Sequence, residues 1–142
     1  MEYKFLVLFH VLGAAIWIGG FMVAAIGVVP RAKKAQDVSL ILDYLDAFKI
    51  PGHIALTIQL LTGLRLAMFY MGGGQGAGTA GTVIGAKLFL LIAIVIVMIA
   101  GKKTGMVSTE TTISKASGYV YIMALIAVSM MVLGLNFKLG LF

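Results

Sequence analysis

Four long apolar runs, separated by polar segments, organise the chain. The first is Phe5 to Val29 and carries no full charge. The second, Ile50 to Met71, is the most polar. The third is Val83 to Ala100 and the fourth Tyr119 to Phe137. Each is near the ~20 residues that cross a ~30 Å hydrocarbon core. No alternating β-barrel pattern is present, so satisfaction of the backbone in lipid demands helices. The expected fold is all-α: an integral membrane four-helix bundle forming a single transmembrane domain over 1–142. The first run is too long for a signal peptide, and only Lys4, offset by Glu2, precedes it.

Residues 38–49 have a different period. Ile41, Leu45 and Phe48 are spaced i, i+4, i+7 and make an apolar stripe. Asp43 and Asp46 face away from it, and Lys49 lies at its border. Asp37 or Ser39 is the expected cap. The stretch reads as an extension of the second helix or as an interfacial helix on the cytoplasmic side.

Composition supports the membrane reading. Hydrophobic residues make up 61% and charged residues 11%, against about 25% charged in an average soluble domain. The mean hydropathy is +1.09. These values exclude a disordered chain, a disulfide scaffold and a nucleic-acid-binding domain. With no cysteine, thiol chemistry and disulfides are excluded as well. The net charge of +6 is informative through its distribution. Arg31, Lys33, Lys34 and Lys49 lie between spans one and two, and Lys102, Lys103 and Lys115 between spans three and four. The other side has Lys4, Lys138 and the glycine-rich loop Gly72 to Gly81. Positive charge marks the cytoplasmic face, so both termini are expected on the non-cytoplasmic side of the cytoplasmic (inner) membrane.

Candidate chemistry lies in the polar groups within the spans. No carboxylate is among them, and no Ser/His/Asp set is credible. Gly76 to Gly81 matches the dinucleotide-binding glycine pattern, but without a βαβ unit it reads as a loop. What remains is His10, His53, Gln59, Arg65 and Lys87. Ionisable residues in spans are costly and point to function. His10, Arg65 and Lys87 fall within about two helical turns of one depth. They form an electropositive half-membrane site that suits an anionic ligand such as a haem propionate and repels a free copper cation. Neutral imidazole is a common iron ligand, so His10 is the leading metal candidate. Trp17 lies on the face of His10. Gln59 and Thr62 are expected to hydrogen-bond another helix. For Arg65 and Lys87 the alternative is snorkelling to the headgroups.

His53 is the second metal candidate. A hairpin turning near Asp37 pairs residues whose numbers sum to about 74. His10 then levels with Leu64, and His53 with Phe21. The 11-residue mismatch is roughly 16 Å along the axis, so His10 and His53 are not expected to clamp one haem.

His10-Val-Leu-Gly-Ala-Ala-Ile-Trp-Ile-Gly-Gly20 resembles the first helix of the copper-resistance-D-type (CopD-like) membrane family. Leu61-Thr62-Gly63 is similar to its second helix, and Gly85-Ala86-Lys87-Leu88 to the start of its third. The related HemJ-type protoporphyrinogen oxidase is a four-helix haem-b protein. Its helix-one His and helix-three Lys correspond to His10 and Lys87. Its Pro-Arg pair follows the helix-one glycine closely, whereas here Pro30-Arg31 stands ten residues after Gly20. The resemblance implies a haem b site, with Lys87 as a proton-moving residue.

The expected function is therefore a membrane b-type haem-binding protein in electron transfer or porphyrin redox chemistry. The cofactor-binding candidates are His10, Trp17, Arg65 and Lys87, the metal candidates His10 and His53, and the catalytic candidate Lys87. Copper handling is one alternative, and a non-catalytic subunit of a membrane complex is another. The bilayer is the expected partner. A redox partner or quinone and a homo-oligomer stay open.

Overall fold

The computed structural model describes residues 1–72 and 79–139, with side chains over 1–71 and 81–136. The chain is all-α. Helix α1 is Glu2–Val23, followed without a break by a π turn, Ala24–Val28, and α2, Val29–Ala35. Helix α3 is Ser39–Gly72, α4 is Thr79–Lys103 and α5 is Ile113–Leu139. Four segments are long and apolar enough to cross a membrane. Exposed apolar side chains such as Leu12, Leu61, Ile96 and Leu125 lie on every span. They can only be satisfied by lipid, and the protein is a multi-pass membrane protein. Part of the expected glycine-rich loop, 73–78, lies outside the described residues.

Local sequence explains the helix ends. Pro30 has no N–H and its ring crowds the preceding turn. Just before it the ladder widens, with Val29 N–H donating to Ala24 O five residues back. Gln36 then takes a left-handed conformation, φ 54°. Asp37 N–H donates to Ala32 O (3.0 Å) and Gln36 N–H to Lys33 O (3.4 Å), which closes α2. Asp37 Oδ1 accepts from Ser39 N–H at 2.9 Å and opens α3. The amphipathic stretch is therefore the first three turns of α3. Ile41 is buried, Leu45 and Phe48 pack on the core, and Asp43 and Asp46 are exposed.

Helix α1 is central, packing on α3 and on α5. Helix α4 packs on α5 and scarcely touches α3. The bundle is thus open between α3 and α4. Neighbouring spans are antiparallel, so α1 and α3 meet head to tail: Glu2 pairs with Arg65 and His10 with Thr62. One end of the bundle carries the N-terminus and the close of α5. The other carries all seven basic loop residues. The core lies nearer this basic end, around Trp17, Phe21, Val29, Ile94, Val120 and Met123. Phe21 sits between Trp17 and Phe48, with ring centroids 4.9 Å and 5.6 Å away.

Candidate functional site

The expected site residues separate into two regions. Toward the terminal end, α1 and α3 approach closely enough for side chains to bond across the seam. His10 faces Thr62 and Gly63, within two residues of the Leu64 level expected from hairpin symmetry. Its Nδ1 is 2.8 Å from Thr62 Oγ1. Thr62 Oγ1 also lies 2.5 Å from Ile58 O. A carbonyl only accepts, so the threonine hydrogen is committed to Ile58 and Nδ1–H must donate to Thr62. The tautomer that results keeps the lone pair on Nε2.

Gln59 completes this seam. With its amide nitrogen turned toward α1, it lies 3.2 Å from His10 O, 3.0 Å from His10 Nε2 and 2.7 Å from His10 Nδ1, while its oxygen accepts from Ala14 N–H (3.1 Å). With Nδ1–H committed to Thr62, Nε2 is the ring nitrogen that can accept from it. Gln59 and Thr62 thus bond across helices, as expected of polar residues in a span. Gly63 makes the approach possible: a Cβ there would lie 3.0 Å from His10 Cε1.

Lys87 on α4 comes within electrostatic reach of His10, and its ammonium lies against Gly134 of α5. It is half-buried. Arg65 does not join them. Its Nε donates to Glu2 Oε1 at 2.8 Å with both side chains about half exposed, and its guanidinium covers Phe69 at 4.9 Å. The expected trio of nitrogen-bearing groups is therefore a pair, His10 and Lys87, with Arg65 neutralised at the rim by Glu2.

Toward the basic end a cleft of about 470 Å³ opens between α3 and α4. Trp17 and Phe21 of α1, Phe48 of α3 and Tyr119 of α5 form its aromatic walls. His53 lines it. Its Nδ1 is 2.5 Å from Lys49 O, so Nδ1 carries a hydrogen, and in the neutral ring Nε2 is the acceptor. A ring N–H bonded to a backbone carbonyl is common in ligating histidines. Met98 and Met123 reach the same cleft. Two expected site residues, Trp17 and His53, thus meet here rather than beside His10, and His53 and Phe21 share the level that hairpin symmetry assigns them.

Sequence reasoning missed this cleft. Its lining comes from four helices and the loop after α4, and Tyr119, Met98 and Lys102 are ordinary residues until those elements converge. Among the described residues no group of three or more His, Cys, Asp or Glu side chains converges to hold a metal ion. Comparison with protein-family models, with curated proteins and with solved structures gives no match.

Proposed function

We propose that this membrane protein binds b-type haem and works in electron transfer or porphyrin redox chemistry. The observation that carries the reading is the hydrogen-bond relay from His10 through Thr62 to Ile58. It fixes the ring and leaves Nε2 as the basic nitrogen, the form in which histidine ligates iron. The donor set fits one axial position, on condition that Gln59 gives up its bond to Nε2 and keeps those to the α1 backbone. His10 would hold the iron, Thr62 would orient the ring, and Lys87 would meet a propionate. Bound haem would supply one-electron chemistry. Lys87 forms no hydrogen bond or ion pair with any described residue, so its ammonium is free to hold an anion or pass on a proton. The seven basic residues at the opposite end support insertion in the cytoplasmic membrane with both termini outside.

Copper handling is the second reading. It is favoured by His53, Met98 and Met123 in one cleft, since imidazole and thioether ligands suit Cu(I). A reduced-minus-oxidised spectrum of the detergent-purified protein decides. The haem reading expects a b-type spectrum that is lost in His10→Ala and kept in His53→Ala. A wild type without a Soret band, even after growth with excess haem, overturns it, and copper bound in equimolar amount to that protein promotes the second reading.

A further inference from the structure

The basic-end cleft is built differently from the His10 seam, and its chemistry selects a different ligand. Its walls are flat: the rings of Trp17, Phe21, Phe48 and Tyr119. Its volume, about 470 Å³, falls within the range of small-molecule sites. One side of it lies where α3 and α4 scarcely touch, and its rim at the basic end is charged.

Charge at the rim decides the head group. Asp43, Asp46 and Lys49 of α3 and Lys102 of α4 all line the cleft. Two acids and two bases balance, which disfavours an anion and a cation alike. A porphyrin dicarboxylate would meet both aspartates, whereas a neutral polar head meets no unbalanced charge. The neutral ring of His53 presents Nε2 to this head as an acceptor, because Nδ1–H is committed to Lys49 O. A hydroxyl on a flat ring is the donor it would take.

We propose that this cleft binds a neutral lipophilic quinone of the hydroquinone–quinone class. The ring lies among the four aromatic side chains, one hydroxyl donates to His53 Nε2, and the apolar tail leaves between α3 and α4 into the lipid. Asp43 and Asp46 are exposed at the basic end of the cleft. The proposal stands on this cleft alone and does not depend on haem.

Trp17 is the only tryptophan and forms one wall, so its fluorescence reads occupancy directly. Purified protein in lipid nanodiscs is titrated with reduced and oxidised decyl-ubiquinone. Saturable quenching is expected, with the reduced form binding tighter. His53→Ala should raise the half-saturation concentration of the reduced form about five- to tenfold, the loss given by one hydrogen bond. His53→Gln, which restores an acceptor, should recover most of it. Circular dichroism of each variant checks that the bundle is intact, and an unfolded His53→Ala leaves the wild-type titration and His53→Gln to decide. Linear, unsaturable quenching of the wild type overturns the proposal. So does equal binding by a folded His53→Ala, or saturable quenching by haem with none by the quinone. A wild type that lacks a Soret band yet shows saturable quinone quenching would sink the haem reading and support this one.

Discussion

The ring of Phe48 occupies the space that a side chain on Gly20 would need. A Cβ built on Gly20 would overlap Phe48 Cζ. The contact is reinforced by Tyr44, whose hydroxyl donates to Gly20 O at 2.7 Å. Residues 24 and 28 positions apart along the chain thus lock α1 to α3 just where the basic-end cleft begins.

Gly20→Ala should therefore be costly. Phe48 cannot retreat freely, because it also packs edge-on against Phe21 and lies over Gly52. Overpacking of this kind costs about 1–3 kcal/mol. Thermal unfolding followed by circular dichroism should show a clear fall in Tm. Gly19→Ala is the control. A Cβ there meets nothing within 4 Å, so Tm should hardly move. Equal effects from the two variants would refute the close contact.

Thr62 carries the tautomer of His10. Thr62→Val keeps the shape and removes the acceptor, leaving His10 Nδ1–H unsatisfied between helices. A buried donor without a partner costs about 1–3 kcal/mol. Thr62→Ser should restore it. If His10 ligates haem, Thr62→Val should also shift the reduction potential, because the bond from Nδ1–H to Thr62 raises the basicity of the ring. A potentiometric titration that separates Val from Ser tests the relay, and identical behaviour of the two would remove it.

The fold was legible because each span carries its own signal. Phe5 to Val29 must be a helix in lipid whatever surrounds it. The stripe Ile41, Leu45, Phe48 showed which face of α3 turns inward. Hairpin symmetry located His10 within two residues of its observed partners, since short antiparallel turns leave little freedom of register. Arg65 could not be read in the same way. Its partner, Glu2, is 63 residues away and looked like a terminal residue of no consequence. The cleft was hidden for a related reason. Its mouth depends on α3 and α4 failing to pack, and a missing contact leaves no mark in the pattern of apolar residues.

Asp37 is a device of the connection between α2 and α3. Hydrogen bonds from the Ser39 side chain and backbone hold its carboxyl below the ordinary carboxylate value. A lowered folded value means that its contribution is fully present above the unfolded value. It is lost as pH falls through the folded one. Asp37→Asn keeps a capping oxygen and removes the titration. The difference in Tm between wild type and Asp37→Asn should therefore be steady near neutrality and shrink in acid. A difference that grows as pH falls would reverse the assignment.

Arg65 and Lys87 are both cations of the terminal half of the bundle, and their surroundings predict opposite consequences for removal. Arg65 is half exposed, paired with Glu2 and laid over Phe69. Exposed ion pairs contribute about 0–1 kcal/mol, and an arginine already satisfied by a carboxylate has little left for a ligand. Arg65→Ala should leave haem retention and Tm near those of wild type. Among the described residues Lys87 has no such partner, and it lies against Gly134 and faces the His10 seam. If it meets a propionate, Lys87→Ala removes a charge-assisted bond of about 1.5–3 kcal/mol. Haem loss to apomyoglobin should then accelerate by roughly ten- to a hundredfold. Lys87→Arg should restore much of the retention, because the charge returns. Lys87→Met, apolar and of similar length, should raise Tm, since the buried charge goes without loss of packing. Faster haem loss from Arg65→Ala than from Lys87→Ala would show that the anion site lies at the Glu2 rim instead, and that Lys87 only reaches for the headgroups.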